Sequence, residues 1–106
     1  MQLYGLKTCD TCRKARKALS EKNVSFEFID VRGDGLPTAV IDEAIVRFPD
    51  KVINKASTTW RGLSDAEKAR APAALLQAHP TLLKRPLIVG DDWTIGWDKA
   101  AQETWL

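Results

Sequence analysis

The spacing of apolar and polar positions predicts a β-α-β unit at the start of the chain. An apolar run at residues 3–6 is typical of a strand, and residues 25–31 alternate between apolar and polar as a second strand does. Between them, a helix over about residues 11–22 is predicted by apolar positions at helical spacing: Cys12, Ala15, Ala18 and Leu19. Asp10 and Thr11 are both candidates for its N-terminal cap, and Asn23 ends it.

The middle of the chain predicts short helices separated by loops. Residues 33–37 contain two glycines and a proline, which is a strong turn signal. Apolar positions then recur at helical spacing over residues 38–48, and residues 72–78 predict another helix with proline in its first turn. Between these helices, Ser64 and Glu67 have the spacing of a capping box.

The last part of the chain predicts a hairpin followed by a helix. Residues 87–89 and 93–95 are two short strands joined by a turn, and Asp98 is a candidate cap for a helix over residues 99–105. The whole order predicts an α/β, thioredoxin-like fold: β-α-β and then β-β-α, with a mixed four-stranded sheet flanked by helices. We expect a single domain, 1–106, with a helical insertion at about residues 37–80 between strands 2 and 3.

Composition narrows the class of protein. The chain has 106 residues, 44% of them hydrophobic, which is enough for one small core. No apolar run approaches the roughly 18 residues of a membrane span, and a formal charge of +2 does not indicate a nucleic-acid partner. The chain opens without the pattern of a secretory leader, so we expect a cytoplasmic protein.

The two cysteines carry the candidate chemistry. Cys9 and Cys12 lie where the first strand hands over to the first helix, and a helix N-terminus stabilises a thiolate. The two-residue gap brings the second sulfur within disulfide reach if the local geometry allows, and it also suits half of a zinc site. His79 is the only histidine and no further ligands are evident, so the sequence favours redox chemistry and predicts no metal.

Three segments resemble the family of bacterial arsenate reductases and Spx-type regulators, and in particular its small arsenate-reductase-like members. The segments are residues 4–15 (YGLKTCDTCRKA), 54–61 (NKASTTWR) and 84–88 (KRPLI). The resemblance implies that Cys9 is the nucleophile, that Arg13 and Arg85 are basic residues of the site, and that Pro86 follows a cis peptide bond.

Two positions depart from the arginines that the resemblance leads us to expect. Lys55 stands at one of them, in a loop near Trp60, and Gly96 stands at about the other. An arginine fork fits the oxygens of an oxyanion better than a lysine does. With lysine at the first of these positions, the anion or substrate site that the resemblance implies comprises five residues: Arg13, Lys55, Trp60, Arg85 and Pro86.

The resemblance implies a glutathione-linked thiol oxidoreductase without a bound cofactor. Cys9 attacks a small oxyanion or a disulfide, and Cys12 or glutathione resolves the adduct, with glutathione or glutaredoxin as the thiol partner. The alternative is an Spx-like regulator that binds RNA polymerase and uses the Cys9–Cys12 pair as a redox switch without turnover. A monomer is expected in either case, with no direct contact to nucleic acid.

Overall fold

The computed structural model describes all residues, 1–106. Its elements in chain order are β1 (Gln2–Gly5), α1 (Asp10–Glu21), β2 (Glu27–Asp30), α2 (Val31–Asp34), α3 (Thr38–Arg47), α4 (Thr58–Arg61), α5 (Asp65–Lys68), α6 (Pro72–Ala78), a 3₁₀ turn (Pro80–Leu82), β3 (Leu87–Val89), β4 (Trp93–Ile95) and α7 (Lys99–Trp105). They form two compact units: residues 1–31 with 85–106, and residues 32–84. None of the helices has the length and apolar character of a membrane span.

The first unit contains the predicted mixed four-stranded sheet, in the order β2-β1-β3-β4. β1 runs parallel to β2, as the crossover through α1 requires, and it pairs with β3 in the antiparallel sense. β3 and β4 form the predicted hairpin. The prediction of an α/β fold with a thioredoxin-like arrangement is therefore confirmed.

The core of the first unit lies between the sheet and α1. Leu3 and Ile88 are register partners on neighbouring strands, and they pack with Ala15 and Leu19 of α1, all four at 0% exposure. Burial of a leucine or isoleucine side chain contributes about 1.5–3 kcal/mol. Partly buried hydrophobic residues surround this cluster: Met1, Val24, Phe26, Phe28, Trp97 and Trp105. The core thus fixes α1 against β1, which sets the position of the helix N-terminus.

The N-terminus of α1 differs from the prediction. Cys9, and neither Asp10 nor Thr11, is the N-cap residue, with extended backbone angles (φ −83°, ψ 121°). The first helical hydrogen bond runs from the Arg13 backbone N–H to the Cys9 carbonyl at 3.0 Å. At the other end, Asn23 takes a left-handed conformation (φ 58°), which asparagine tolerates after a helix.

The end of β2 is also different from the prediction. The strand stops at Asp30, and the next four residues form the single helical turn α2, where the sequence predicted the end of a strand and the start of a turn. Val31 is fully buried, so packing favours a turn of helix over the local glycine signal. The predicted reversal follows at Gly35, whose φ of +70° suits glycine.

The second unit is helical. α3 and α6 pack on each other through buried aliphatic residues, which include Ile41, Ala44, Leu75 and Leu76. Residues 52–54 lie against residues 82–84, since Asn54 donates its backbone N–H to the Leu82 carbonyl at 2.8 Å. The helical insertion predicted at about residues 37–80 lies inside this unit. The single-domain arrangement stays a prediction.

One half of the predicted capping box is present at α5. The Ser64 hydroxyl accepts a hydrogen bond from the Glu67 backbone N–H at 3.2 Å. The Glu67 carboxylate, however, contacts Arg70 at 3.0 Å and His79 at 3.2 Å. These two hydrogen bonds lower the pKa of Glu67 below its ordinary value, that from His79 contributing most. Its side chain therefore links α5 to the end of α6.

Candidate active site

Cys9 lies in a loop that the sheet holds from two sides. Its backbone N–H donates to the Leu6 carbonyl at 3.2 Å, which closes a tight turn between β1 and α1. The Lys7 backbone N–H donates to the Asp30 carboxylate at 3.2 Å, and Asp30 is the register partner of Gly5 on the parallel strand. The turn is therefore fixed to the carboxyl ends of both parallel strands, where ligand sites of α/β sheets commonly lie.

The Cys9 thiol is half-buried. Neighbouring hydrogen-bond donors and one cation stabilise its thiolate form. Burial is the largest single influence and raises the pKa of Cys9. The Cys12 backbone N–H, the Cys12 thiol and the Arg85 guanidinium oppose it, and together they bring the pKa below the ordinary value of 9.0. The net result is a thiol that ionises more readily than a free cysteine, as a nucleophile requires.

Cys12 has the opposite character. It lies in the first turn of α1 with 0% exposure. Burial raises the pKa of Cys12 to about 12, although the Leu6 backbone N–H and Arg85 partly oppose that effect. Neither cysteine is in a disulfide. The surroundings of the two neighbouring sulfurs therefore shift their pKa values in opposite directions.

Arg85 belongs to the first unit and its side chain reaches Cys9. Both its charge and its hydrogen bond lower the pKa of the Cys9 thiol. The Arg85–Pro86 peptide bond is cis, as the resemblance led us to expect, and Pro86 is fully buried. The Pro86 carbonyl accepts a hydrogen bond from the Gly96 backbone N–H at 2.9 Å. This segment joins the hairpin β3–β4 to the thiol site.

The backbone conformation at residue 96 favours glycine. Its φ of +77° lies in the left-handed region, where a side chain is strained. An arginine at this position would need a different backbone or would carry that strain. The cation that the resemblance led us to expect there is accordingly replaced by a tight turn after β4.

Arg13 lies on the exposed side of α1. Its guanidinium forms an ion pair with the Asp10 carboxylate one turn earlier, and the two side chains are 59% and 81% exposed. Asp10, predicted as a cap, is thus the first helical residue and a partner for Arg13. Arg13 is not among the groups that shift the pKa of Cys9. Its role in anion binding stays a prediction.

Lys55 and Trp60 lie together in the second unit. The Lys55 ammonium is 5.6 Å from the centroid of the Trp60 ring, and the Lys68 ammonium is at the same distance from that ring. Ser57 caps α4 by accepting from the Trp60 backbone N–H at 3.2 Å, which fixes the start of the helix that carries the tryptophan. Two cations therefore border one half-buried indole.

A small cavity adjoins Lys55. Its volume is about 190 Å³, and its lining residues are Pro49, Asp50, Val52, Ile53, Lys55 and Pro72. The predicted site residues thus fall into two sets, one in each compact unit. Cys9, Cys12, Arg85 and Pro86 form the thiol set, with Arg13 on the exposed side of α1 in the same unit, while Lys55 and Trp60 form the other set.

Two residues that contact these sites were absent from the sequence prediction. Asp30 fixes the cysteine turn, and a signal for it existed, because the ends of parallel neighbouring strands meet at one edge of a sheet. Lys68 lies beside Trp60 from a separate helix, and no local pattern connects the two. The structure contains no group of three or more histidine, cysteine or acidic side chains arranged to hold a metal ion.

Comparison with known proteins identifies the family. The model of the ArsC family matches residues 4–104. A solved structure of the YFFB (PA3664) protein superposes with a TM-score of 0.89 at 32% identity, and the match covers 99% of this chain and 97% of that one. An uncharacterised protein of Haemophilus influenzae is 39% identical over 94 residues, which are 84% of this chain and 82% of that protein.

A global transcriptional regulator is also among the relatives. Spx of Listeria innocua is 30% identical over 96 residues, which are 84% of this chain and 72% of the regulator. The chain therefore belongs to the ArsC family, and it is similar to both arsenate-reductase-like and Spx-like proteins.

Proposed function

We propose that this protein is a glutathione-linked thiol oxidoreductase whose nucleophile is Cys9. One observation carries the proposal: the half-buried Cys9 thiol lies at the N-terminus of a twelve-residue helix with Arg85 and the Cys12 donors around it. Positive potential and hydrogen-bond donors at a helix N-terminus stabilise the thiolate, which is the reactive form. No general base is needed where hydrogen-bond donors and a cation already favour the thiolate, as they do at Cys9.

The first step is thiol exchange. The Cys9 thiolate attacks one sulfur of a disulfide between a substrate and glutathione, and the substrate leaves as a thiolate that takes a proton from water. Cys9 is then joined to glutathione through a new S–S bond. A second glutathione resolves that bond by attacking the glutathione sulfur, and Cys9 leaves as the thiolate. If Cys12 is the resolving thiol, it attacks the Cys9 sulfur, glutathione leaves as the thiolate, and a Cys9–Cys12 disulfide forms that further glutathione must reduce. With glutathione as the resolving thiol, the net reaction converts one mixed disulfide and one glutathione into a substrate thiol and glutathione disulfide.

An oxyanion such as arsenate is the second substrate class for the same nucleophile. Cys9 displaces hydroxide from arsenate to form a thioester of As(V). The sulfur of glutathione then bonds to the Cys9 sulfur, and the electron pair of the broken S–As bond reduces arsenic to As(III), which leaves as arsenite. Both classes therefore reach the same Cys9–glutathione adduct. Neither requires a bound cofactor.

The basic residues supply charge for the substrate. Arg85 is the basic residue that acts on the sulfur, because its charge and hydrogen bond stabilise the thiolate. Its guanidinium fork suits either an oxyanion or a glutathione carboxylate. Arg13 adds positive charge in the unit that holds the thiol, where Pro86 positions the Arg85 segment, and Lys55 with Trp60 is a proposed substrate contact of the second unit. The left-handed backbone at Gly96 removes one cation from this set, which favours the disulfide substrate over the oxyanion.

A coupled assay tests the proposal and separates the substrate classes. Glutathione, glutathione reductase and NADPH are mixed with 2-hydroxyethyl disulfide in one arm, and with arsenate and glutaredoxin in the other. We expect NADPH consumption in the disulfide arm with the wild type and none with Cys9→Ser. Consumption only in the arsenate arm would assign the oxyanion instead. Equal rates for both proteins in both arms would overturn the role of Cys9.

A second candidate function is redox-controlled regulation through RNA polymerase. The similarity to Spx and the Cys-x-x-Cys spacing support it, with a Cys9–Cys12 disulfide as the switch. Capture of purified polymerase by the immobilised protein, oxidised and reduced, tests this function. Capture that depends on oxidation and disappears in Cys12→Ala would favour the regulator. Absence of capture in both states would exclude it.

A further inference from the structure

The Cys12 sulfur is enclosed by the end of β1. If Gly5 carried a Cβ atom, that atom would lie 2.6 Å from the Cys12 Sγ and 3.3 Å from its Cβ. Real Cβ atoms do not approach a sulfur so closely, so a side chain at residue 5 requires the sulfur to move. The contact at Gly5 is tighter than at the other glycines: the corresponding distance is 3.1 Å at Gly90, and nothing lies within 4 Å at Gly33 or Gly35.

Glycine at residue 5 is not required by the backbone. Positive φ angles occur at Gly35 and Gly96, and Gly5 has the ordinary conformation of a strand residue. Its backbone is held in register opposite Asp30. The tightest contact of a side chain at residue 5 would therefore be with the Cys12 sulfur, since the Leu3 side chain is 3.4 Å away.

The donors around Cys12 have a fixed direction. The Leu6 backbone N–H can only donate, and it faces the Cys12 sulfur. The Cys12 thiol in turn faces Cys9, and its hydrogen bond favours the Cys9 thiolate. Since a thiol has one proton, Cys12 accepts from Leu6 and donates to Cys9. Such a chain of donors strengthens the last hydrogen bond.

We propose that Gly5 and Cys12 are positioning residues for the nucleophile: Gly5 leaves the space that holds the Cys12 thiol against Cys9, where Cys12 donates a hydrogen bond to the thiolate and does not resolve its adducts. This inference rests on the proposed function of Cys9. A resolving cysteine must become a thiolate, and the complete burial of Cys12 opposes that ionisation. Glutathione is then the resolving thiol.

The pH profile of alkylation tests the donor role without any turnover. The rate at which iodoacetamide modifies Cys9, located by peptide mass spectrometry, is measured from acid to alkaline pH. We expect the midpoint in Cys12→Ala to rise by about one pH unit, whereas Cys12→Ser keeps a donor and stays near the wild type. A wild-type midpoint in Cys12→Ala, or equal shifts in both variants, would overturn the proposal.

Gly5 is tested through its coupling to Cys12. Gly5→Ala should raise the midpoint as Cys12→Ala does, because the new methyl group displaces the sulfur. In the double variant Gly5→Ala/Cys12→Ala the clashing sulfur is gone, so its midpoint should equal that of Cys12→Ala alone. Additive shifts would show that Gly5 acts elsewhere. Circular dichroism of each variant verifies that it is folded.

The wild-type protein alone supplies a second readout. The Cys9–glutathione adduct is prepared with glutathione disulfide, freed of small molecules and followed by mass spectrometry. The donor role predicts an adduct that persists until glutathione is added. Spontaneous release of glutathione with formation of a Cys9–Cys12 disulfide would overturn it. If the coupled assay shows no turnover but these profiles hold, the donor role stands and the proposed enzymatic function fails.

Discussion

The N-termini of α1 and α7 each begin at an extended cap residue and differ in chemistry. At α7, the Asp98 carboxylate accepts a hydrogen bond from the Ala101 backbone N–H at 2.9 Å, three residues on. At α1, Cys9 occupies the same cap position and Cys12 is the residue three positions on. The Cys9 side chain makes no capping hydrogen bond, yet the nearby Cys12 backbone N–H lowers the pKa of Cys9.

The two helices differ in which atom accepts the hydrogen bond of the free backbone N–H in the first turn. Asp98 satisfies its donor permanently and stabilises the fold. At α1 the same donor is satisfied well only when the sulfur carries charge, so the helix end favours ionisation of Cys9. Because the cysteine at this N-cap is a weak hydrogen-bond acceptor, the helix N-terminus stabilises a reactive thiolate in place of a structural cap.

The largest predicted effect follows from Cys9→Ser, which makes the two helix ends alike. Reaction with iodoacetamide at residue 9 should be lost completely, because a serine hydroxyl stays protonated. The free energy of unfolding should be unchanged or higher by up to about 1 kcal/mol, since serine is a good cap. Urea unfolding measures it, with Cys9→Ala as the control that lacks any cap acceptor. A Cys9→Ser protein less stable than Cys9→Ala would contradict the comparison.

Substitution of Arg85 should have the next largest effect. Removing its charge and hydrogen bond in Arg85→Ala should raise the alkylation midpoint of Cys9 by about one pH unit, which is about a tenfold lower rate at neutral pH. Arg85→Lys retains the charge without the fork and should lie between that variant and the wild type. Stopped-flow or quenched alkylation measures these rates. An unchanged rate in Arg85→Ala would remove Arg85 from the site.

The smallest effect is expected at the structural cap. Asp98→Ala should lower the free energy of unfolding by about 1 kcal/mol and leave the alkylation midpoint of Cys9 unchanged. Asp98→Ser is the matched variant, because it keeps an acceptor oxygen, and it should recover most of the loss. Thermal or urea unfolding gives the comparison. A shift of the Cys9 midpoint in Asp98→Ala would mean that the two helix ends are not independent.

Local signals in the sequence predicted several elements correctly. The bounds of α6, β3, β4 and α7 agree with the prediction, because proline, glycine and aspartate mark where each begins or ends. α2 was missed, since a single helical turn that contains Gly33 has no helical period and depends on the burial of Val31.

The candidate site was predictable in part. The Cys-x-x-Cys spacing between a strand and a helix indicated a reactive Cys9, and the resemblance supplied Arg85 and the cis bond at Pro86. The contact between Gly5 and Cys12 was not predictable, because it depends on how closely β1 approaches α1. The assignment of Asp10 as the cap also failed, since cap preferences do not favour cysteine.

Titration of the two thiols tests the central claim most directly. Thiolate absorbance in the ultraviolet is followed with pH, and Cys9→Ser and Cys12→Ser assign each step. The prediction is two separate steps, one below the ordinary value of 9.0 for Cys9 and one near 12 for Cys12. Linkage gives the sign of the accompanying stability: relative to Cys9→Ser, the wild type becomes more stable as pH rises from the folded pKa of Cys9 towards 9.0, because the unfolded state then binds more protons. A single step in which both thiols ionise together near 9.0 would contradict the account.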